Sequence, residues 1–349
     1  MTNSGPTTFA ISDRSIGREH PPLVIAEIGI NHEGDIAKAL RMVDDAAAAG
    51  CECVKFQSHV IDDEMIPNDV IPGNASESIW DIMERCALTE DEERTVKSYV
   101  ESKGLIFLST PFSRAAAERL ESMDVPAYKI GSGECNNYPL VEHIAKYGKP
   151  VIMSTGMNDI ASIAPAVDIF RRHDVPYALL HVTSMYPTPY DKVRLGAIAE
   201  LRSAFPDAVL GLSDHTLTNW TCIASVALGA SILERHFTSD RNWPGPDIEV
   251  SMDPDDLAEL VQASRAVHLA SGGSKSILPE EQPTIDFAYA SVVSIRDIEP
   301  GERFDYSNVW VKRPGTGELL AVDFPMVLGK RATSRIARNT QLRREHVGE

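Results

Sequence analysis

Eight short apolar runs rich in β-branched residues recur along this 349-residue chain, separated by stretches with helical patterning. They are LVIAEIGI (23–30), CECVKFQ (51–57), LIFLSTP (105–111), AYKIGSG (127–133), PVIMSTG (150–156), YALLHVT (177–183), AVLGLSD (208–214) and SILERHF (231–237). Amphipathic stretches such as DIAKALRMVDDAAAAG and DPDDLAELVQASRAVHLASGG lie between or after them, the second ending at glycines as helices often do. Near-continuous apolar strands are those of a parallel sheet covered on both faces. Eight such units over about 250 residues predict a (β/α)8 TIM barrel. A doubly wound open sheet is the alternative, but no GxGxxG follows the first run, and polar residues sit at the ends of many runs. The barrel is therefore expected over 1–273, with 58–88 as an unusually long loop that covers the substrate.

The pattern breaks at SKSILPEEQPTIDFAYA, so 274–290 is read as a linker. Residues 291–349 follow as a small β-rich module, with short runs SVVSIRDI, NVWVKRPG and GKRATSRIA punctuated by EPGE, RPGTGE and ARNT. Lys312, Arg313, Lys330, Arg331, Arg335, Arg338, Arg343 and Arg344 make this module basic relative to the rest of a chain whose net charge is −18. That acidic balance argues against a nucleic-acid partner and requires an anionic substrate to find local cations. The five cysteines lack zinc-site spacing, the amino terminus lacks a signal-peptide core, and no apolar stretch approaches the roughly 18 residues of a membrane span. A cytoplasmic enzyme with no membrane partner is expected.

In a barrel, chemistry gathers at the carboxyl ends of the strands. Those ends carry Glu27; Lys55 and Gln57; Ser109 and Thr110; Lys129, Ser132 and Glu134; Ser154 and Thr155; His181, Thr183 and Tyr186; Ser213, Asp214 and His215; Glu234 and His236. Any one of them is explained by a satisfied core group or a helix cap. A polar set at every strand end, with two lysines and several carboxylates, is not explained by packing. Lysines and a row of hydroxyls suit a phosphate and a carboxylate. His215 and His236, on adjacent strands, suit one divalent metal that leaves positions open for substrate. Asp247 in GPD suits a histidine, a sugar hydroxyl or a turn. An aldolase working through Lys129 or Lys55 as a Schiff-base nucleophile is the competing enzyme class.

The motifs AEIGINHEGD, VKFQSH, IPGNASES, STPFSRAAAERL, YKIGSGECNN, STGM, YPTPY, GLSDHT, LERHFT and GPD, taken in order, resemble the bacterial sialic acid synthase family, and within it the N-acetylneuraminate synthases. The tail, NVWVKRPGTGE above all, resembles that family's antifreeze-like (SAF) domain. The resemblance implies condensation of phosphoenolpyruvate with the open-chain aldehyde of an N-acetylated hexosamine, giving a nine-carbon 2-keto acid and phosphate. N-acetylmannosamine is the expected acceptor, and a diacetamido trideoxy sugar (leading to legionaminic or pseudaminic acid) the alternative. It implies a divalent metal on His215 and His236, usually Mn2+, with Mg2+ or Co2+ as substitutes. Lys55, Thr110, Lys129, Ser132, Ser154 and Ser213 match the phosphoenolpyruvate pocket. Glu27, Gln57, Tyr186 and Asp247 match residues around the sugar, Asn74 is a further substrate-binding residue, and Glu134 matches a carboxylate near the reacting carbons that handles water or a proton at C2, a role Glu27 could share. The family's domain-swapped homodimer would bring Arg313 to the partner's sugar. An ice- or glycan-binding role for the tail is the non-enzymatic alternative. Two departures stand out: Ser184 where relatives often carry asparagine, and Phe56 where a histidine can occur.

Overall fold

The computed structural model describes residues 7–349, which form two compact units that divide after Gly272. The first unit opens with an antiparallel hairpin of β1 (Thr8–Ile11) and β2 (Arg14–Gly17). Eight parallel strands follow: β3 (Leu23–Gly29), β4 (Cys53–Ser58), β5 (Ile106–Pro111), β6 (Tyr128–Ile130), β7 (Val151–Ser154), β8 (Tyr177–His181), β9 (Val209–Asp214) and β10 (Ile232–His236). Their ladder order is β5-β4-β3-β10-β9-β8-β7-β6, and β5 and β6 lie side by side to complete the ring. This is the expected barrel.

The side-chain period of two in a strand divides each run between two cores. Val24, Ala26, Val54, Phe56, Leu210, Leu212 and Leu233 face outward, into the core shared with the helices. Leu23, Ile25, Cys53, Leu108, Ile152, Leu180, Val209 and Ile232 face inward, where Phe9, Ile11 and Ile16 of the hairpin pack with them. The hairpin thus joins the apolar floor of the barrel. Following the inward rows upward, Leu23 and Ile25 lead to Glu27, Cys53 to Lys55, and Ile232 to Glu234 and His236. The same alternation that builds an apolar floor delivers polar groups at the top.

Five of the connecting helices begin at side-chain caps. Asp35, Thr89, Ser113, Asn137 and Asp159 each accept a hydrogen bond from the first turn, and Thr89 forms a full capping box with Glu92. The 58–88 segment is not a plain loop. It holds helices Ile61–Glu64 and Ile79–Cys86.

The second unit contains an antiparallel pair, β11 (Ser291–Ser294) and β12 (Val309–Lys312), around a core that includes Val292, Ile298, Phe304, Val309, Val327, Ile336 and Leu342. The GKRATSRIA run forms isolated bridges rather than a strand. The segment read as a linker carries a 3-10 turn, Pro279–Glu281, and a helix, Gln282–Ala288, and groups with this unit. The β-branched and turn signals that marked the module's edges do not register that helix, which is short and starts with Gln-Pro.

Candidate active site

A cavity of about 420 Å3 opens at the carboxyl ends of the barrel strands. Of the site residues expected from the sequence, Glu27, Lys55, Gln57, Asn74, Thr110, Lys129, Ser132, Glu134, Ser154, Tyr186, Ser213, His215 and His236 all line it. Asp247 lies just outside, with its Oδ2 3.8 Å from His236 Nδ1 and its Oδ1 accepting from Asn74 Nδ2 at 3.3 Å. Arg313 is an exposed residue of the second unit.

Strand register explains the gathering. Glu27 pairs in register with Lys55 on one side and His236 on the other, Gln57 pairs with Thr110, and Glu234 with Ser213. Lys55 Nζ sits 2.7 Å from Glu27 Oε2 and donates to Thr110 Oγ1 at 3.2 Å. Lys129 Nζ donates to Ser154 Oγ at 2.7 Å. Glu234 lies between the lysines, its carboxylate 3.6 Å from Lys129 and 3.8 Å from Lys55, and it accepts from Ser213 Oγ at 3.0 Å. The sequence places Glu234 among the strand-end polar residues without a role. In the fold it is the countercharge of both lysines.

Burial lowers Lys129 to about 8, with Glu234 opposing the shift and Lys55 adding to it. Burial also acts against charge on Lys55, but Glu234 and Glu27 outweigh it and hold that ammonium above its ordinary value. The lysines form a cationic floor whose charge is secured by anions. An arriving phosphate or carboxylate would add to that security.

The GSGE turn after β6 sets the next group. Gly131 has no Cβ because one there would stand 2.5 Å from Glu134 Oε2, so the carboxylate folds back over the turn. That oxygen is buried and has no hydrogen-bond partner among the described residues. Burial pushes the Glu134 carboxyl up to about 7. A buried carboxyl poised near neutrality and facing a cavity is suited to proton transfer.

His215 and His236 have ring centroids 5.4 Å apart, and the Tyr186 ring lies 4.1 Å from that of His215, tilted by 32°. His215 Nδ1 faces the Thr183 carbonyl at 3.3 Å, which leaves Nε2 for a ligand. Burial, then the neighbouring His236, lowers His215 to about 3, so it is neutral, as a metal ligand must be. His236 Nδ1 is buried and without a hydrogen-bond partner among the described residues. Two imidazoles beside Asp247 fit a divalent ion. Among the described residues no group of three or more His, Cys, Asp or Glu gathers to enclose one, so other positions would fall to substrate or water.

Alternation also removes candidates. Thr155 Oγ1 is spent on the Leu180 carbonyl, His181 on Val193 O, and Asp214 on Thr216 and Thr221. Neither they nor Ser109 and Thr183 line the cavity. Phe56 faces the outer core against Phe107, so that departure does not touch the site, whereas Ser184 lines it. Phe112 and Met157 also line the cavity, and no polar signal marked them in the sequence.

The NeuB family model matches residues 42–276, and the SAF domain model matches 289–348. The chain is 40% identical to an uncharacterized protein of Methanocaldococcus jannaschii, over 88% of this chain and 89% of that one. It is 34% identical to an N,N'-diacetyllegionaminic acid synthase of Campylobacter jejuni, over 92% and 98%. Its fold is similar to a crystal structure of N-acetylneuraminic acid synthetase from Leptospira borgpetersenii in complex with citrate, with a TM-score of 0.74 and 31% identity, covering 81% of this chain and 97% of that one.

Proposed function

The chain belongs to the NeuB family, and from that premise we propose that it joins phosphoenolpyruvate to the open-chain aldehyde of an N-acetylated hexosamine, with water, to give a nine-carbon 2-keto acid and phosphate. N-acetylmannosamine is the acceptor we assign, and N-acetylneuraminate the product. The observation that carries this reading is the pair of buried lysines, with Thr110, Ser154 and Ser213 beside them, in the same cavity as the imidazoles of His215 and His236.

Lys55, Lys129 and the hydroxyls bind the phosphate and carboxylate of phosphoenolpyruvate. Tyr186, Gln57, Asn74 and Asp247 orient the sugar. C3 of the enol forms the new bond to the aldehyde carbon, and positive charge develops at C2. Glu134 stands ready there, its free oxygen opposing that charge and accepting the proton of the water that adds to C2. Breaking the C2–O bond then releases phosphate, which takes the proton of the new C2 hydroxyl as the ketone forms, while the proton held by Glu134 passes to the alkoxide made from the aldehyde oxygen. Glu27, already paired with Lys55, is the second carboxylate available to that water. The family typically uses a divalent metal. His215 and His236 would hold it, manganese before magnesium or cobalt, and when bound it supplies Lewis-acid polarisation of the aldehyde oxygen.

A diacetamido trideoxy sugar is the second reading, favoured by one feature. Gly73 and Asn74 line both the 420 Å3 cavity and a neighbouring one of about 740 Å3, bounded by Glu33, Arg85 and the 244–246 loop, with room for a further acylamino group. The Arg313 of a partner chain in a domain-swapped homodimer is assigned to the N-acetyl end of the sugar. Isotope labelling tests the bond broken. Phosphoenolpyruvate carrying 18O in the bridging position should deliver that label to the released phosphate, and label retained in the keto acid would rule the mechanism out.

A further inference from the structure

His59 follows Gln57 by two residues at the end of β4, and its side chain is 2% exposed. Its ring stacks on Phe112, a cavity-lining residue, with centroids 4.7 Å apart and planes 11° from parallel. Both ring nitrogens face oxygens. Nδ1 is 2.8 Å from Glu64 Oε2, and Nε2 is 3.1 Å from Gln57 Oε1. On its other side the Gln57 amide nitrogen donates to Glu27 Oε1 at 3.2 Å, and Glu27 Oε2 meets Lys55 at 2.7 Å. One continuous line of polar groups therefore runs from the covering segment to the floor of the cavity.

We propose that His59 is a positioning residue that fixes the orientation of the Gln57 carboxamide, donating one N–H to Glu64 and the other to Gln57 Oε1. The inference rests on the reading of Gln57 as a sugar contact. A carboxamide has nearly the same shape after a half-turn, so its neighbours decide which end points where. With an N–H of the His59 ring facing it on one side and the Glu27 carboxylate on the other, only one orientation of the amide satisfies every group. Gln57 oxygen turns to the imidazole, and its NH2 turns to Glu27 with the second N–H left for the acceptor. The reverse orientation sets two acceptors, the amide oxygen and the carboxylate, against each other, and two donors against each other.

Glu64 is itself held in place. The adjacent Asp63 accepts from Ala115 N at 2.8 Å, which ties helix Ile61–Glu64 to the start of helix Arg114–Ser122. Gly29, at φ +53°, leaves the space: a Cβ there would come within 3.0 Å of Glu27 Oε1 and 3.3 Å of Gln57 Nε2. The His59–Glu64 pair also reaches Glu134 electrostatically, Glu64 raising that carboxyl and His59 lowering it.

A double-mutant cycle tests the proposal. His59→Phe keeps the stack on Phe112 and removes both donors. It should raise the KM for the acceptor sugar by about 10- to 100-fold and leave the KM for phosphoenolpyruvate within about twofold. In a Gln57→Ala background the same change should add less than about twofold, because the group it positions is gone. His59→Gln, which retains an N–H donor, should recover part of the loss. An effect of full size in the Gln57→Ala background would overturn the proposal in favour of a structural role, as would an unchanged acceptor KM. Nitrogen NMR of the histidine side chains in the full chain gives a reading independent of turnover. A proton on both nitrogens of His59, assigned by its loss in His59→Phe, supports the proposal, and an unprotonated Nε2 overturns it. If no sugar is turned over, the proposed reaction has failed, and the NMR result alone still judges His59.

Discussion

Lys129 and Glu134 belong to one strand and its turn, and burial moves both toward neutrality, one down to about 8 and the other up to about 7. The signs give a pH profile. Glu134 carries its charge above about 7, where it can oppose charge at C2 or take a proton. Lys129 keeps its charge below about 8, where it would hold the anion of the proposed reaction. kcat/KM for phosphoenolpyruvate should therefore rise through about 7, fall through about 8, and form a narrow bell. Glu134→Gln should abolish the acid limb and cut kcat by about 100-fold or more, which separates the enzyme's limb from the substrate's own ionisation. A profile flat from acid to base in the wild type would remove both assignments. Gly131 belongs to the same argument, since only a residue without Cβ lets Glu134 fold over the turn.

At the scale of elements, the covering segment is fastened to the barrel at several points, and Asn74 makes two of the bonds, to the Pro246 carbonyl at 3.1 Å and to Asp247 at 3.3 Å. Asn74→Ala should raise the acceptor KM about 3- to 30-fold and speed proteolysis within 59–88, while shifting the melting temperature little. Unchanged proteolysis would show that the segment is held elsewhere. The strands themselves were legible in the chain because near-continuous apolar runs leave few choices. Their carboxyl ends were only half legible. Where two polar residues adjoin, as in Ser109-Thr110, Ser154-Thr155 and Asp214-His215, period two sends one inward and one outward, and only the ladder register says which. The amino-terminal hairpin escaped notice although Phe9, Ile11 and Ile16 flank a polar turn, because strands this short leave too few residues to establish alternation. His59 carries no signal beyond its place two residues after Gln57. Its meaning depends on Glu64 and Phe112, which approach it only in the fold.

At the scale of the whole molecule, two units are each matched by a family model, the barrel by NeuB and the tail by SAF. Among the described residues no helix is long and apolar enough to cross a membrane. Arg313 is exposed on the second unit and makes no hydrogen bond or ion pair among the described residues, so its side chain is available to a ligand. Arg313→Ala should raise the acceptor KM about 10-fold or more with stability and the phosphoenolpyruvate KM nearly unchanged, read by initial rates and thermal melting. An unaffected acceptor KM would return Arg313 to the role of a surface cation. The central claim is tested most directly by phosphate release from phosphoenolpyruvate by metal-stripped enzyme, with N-acetylmannosamine and a 2,4-diacetamido trideoxy sugar side by side, each with and without manganese. The account predicts release that requires both an amino sugar and the metal, fastest with N-acetylmannosamine; release only with the diacetamido sugar would keep the chemistry and change the product. No sugar-dependent release under any of these conditions would contradict the account.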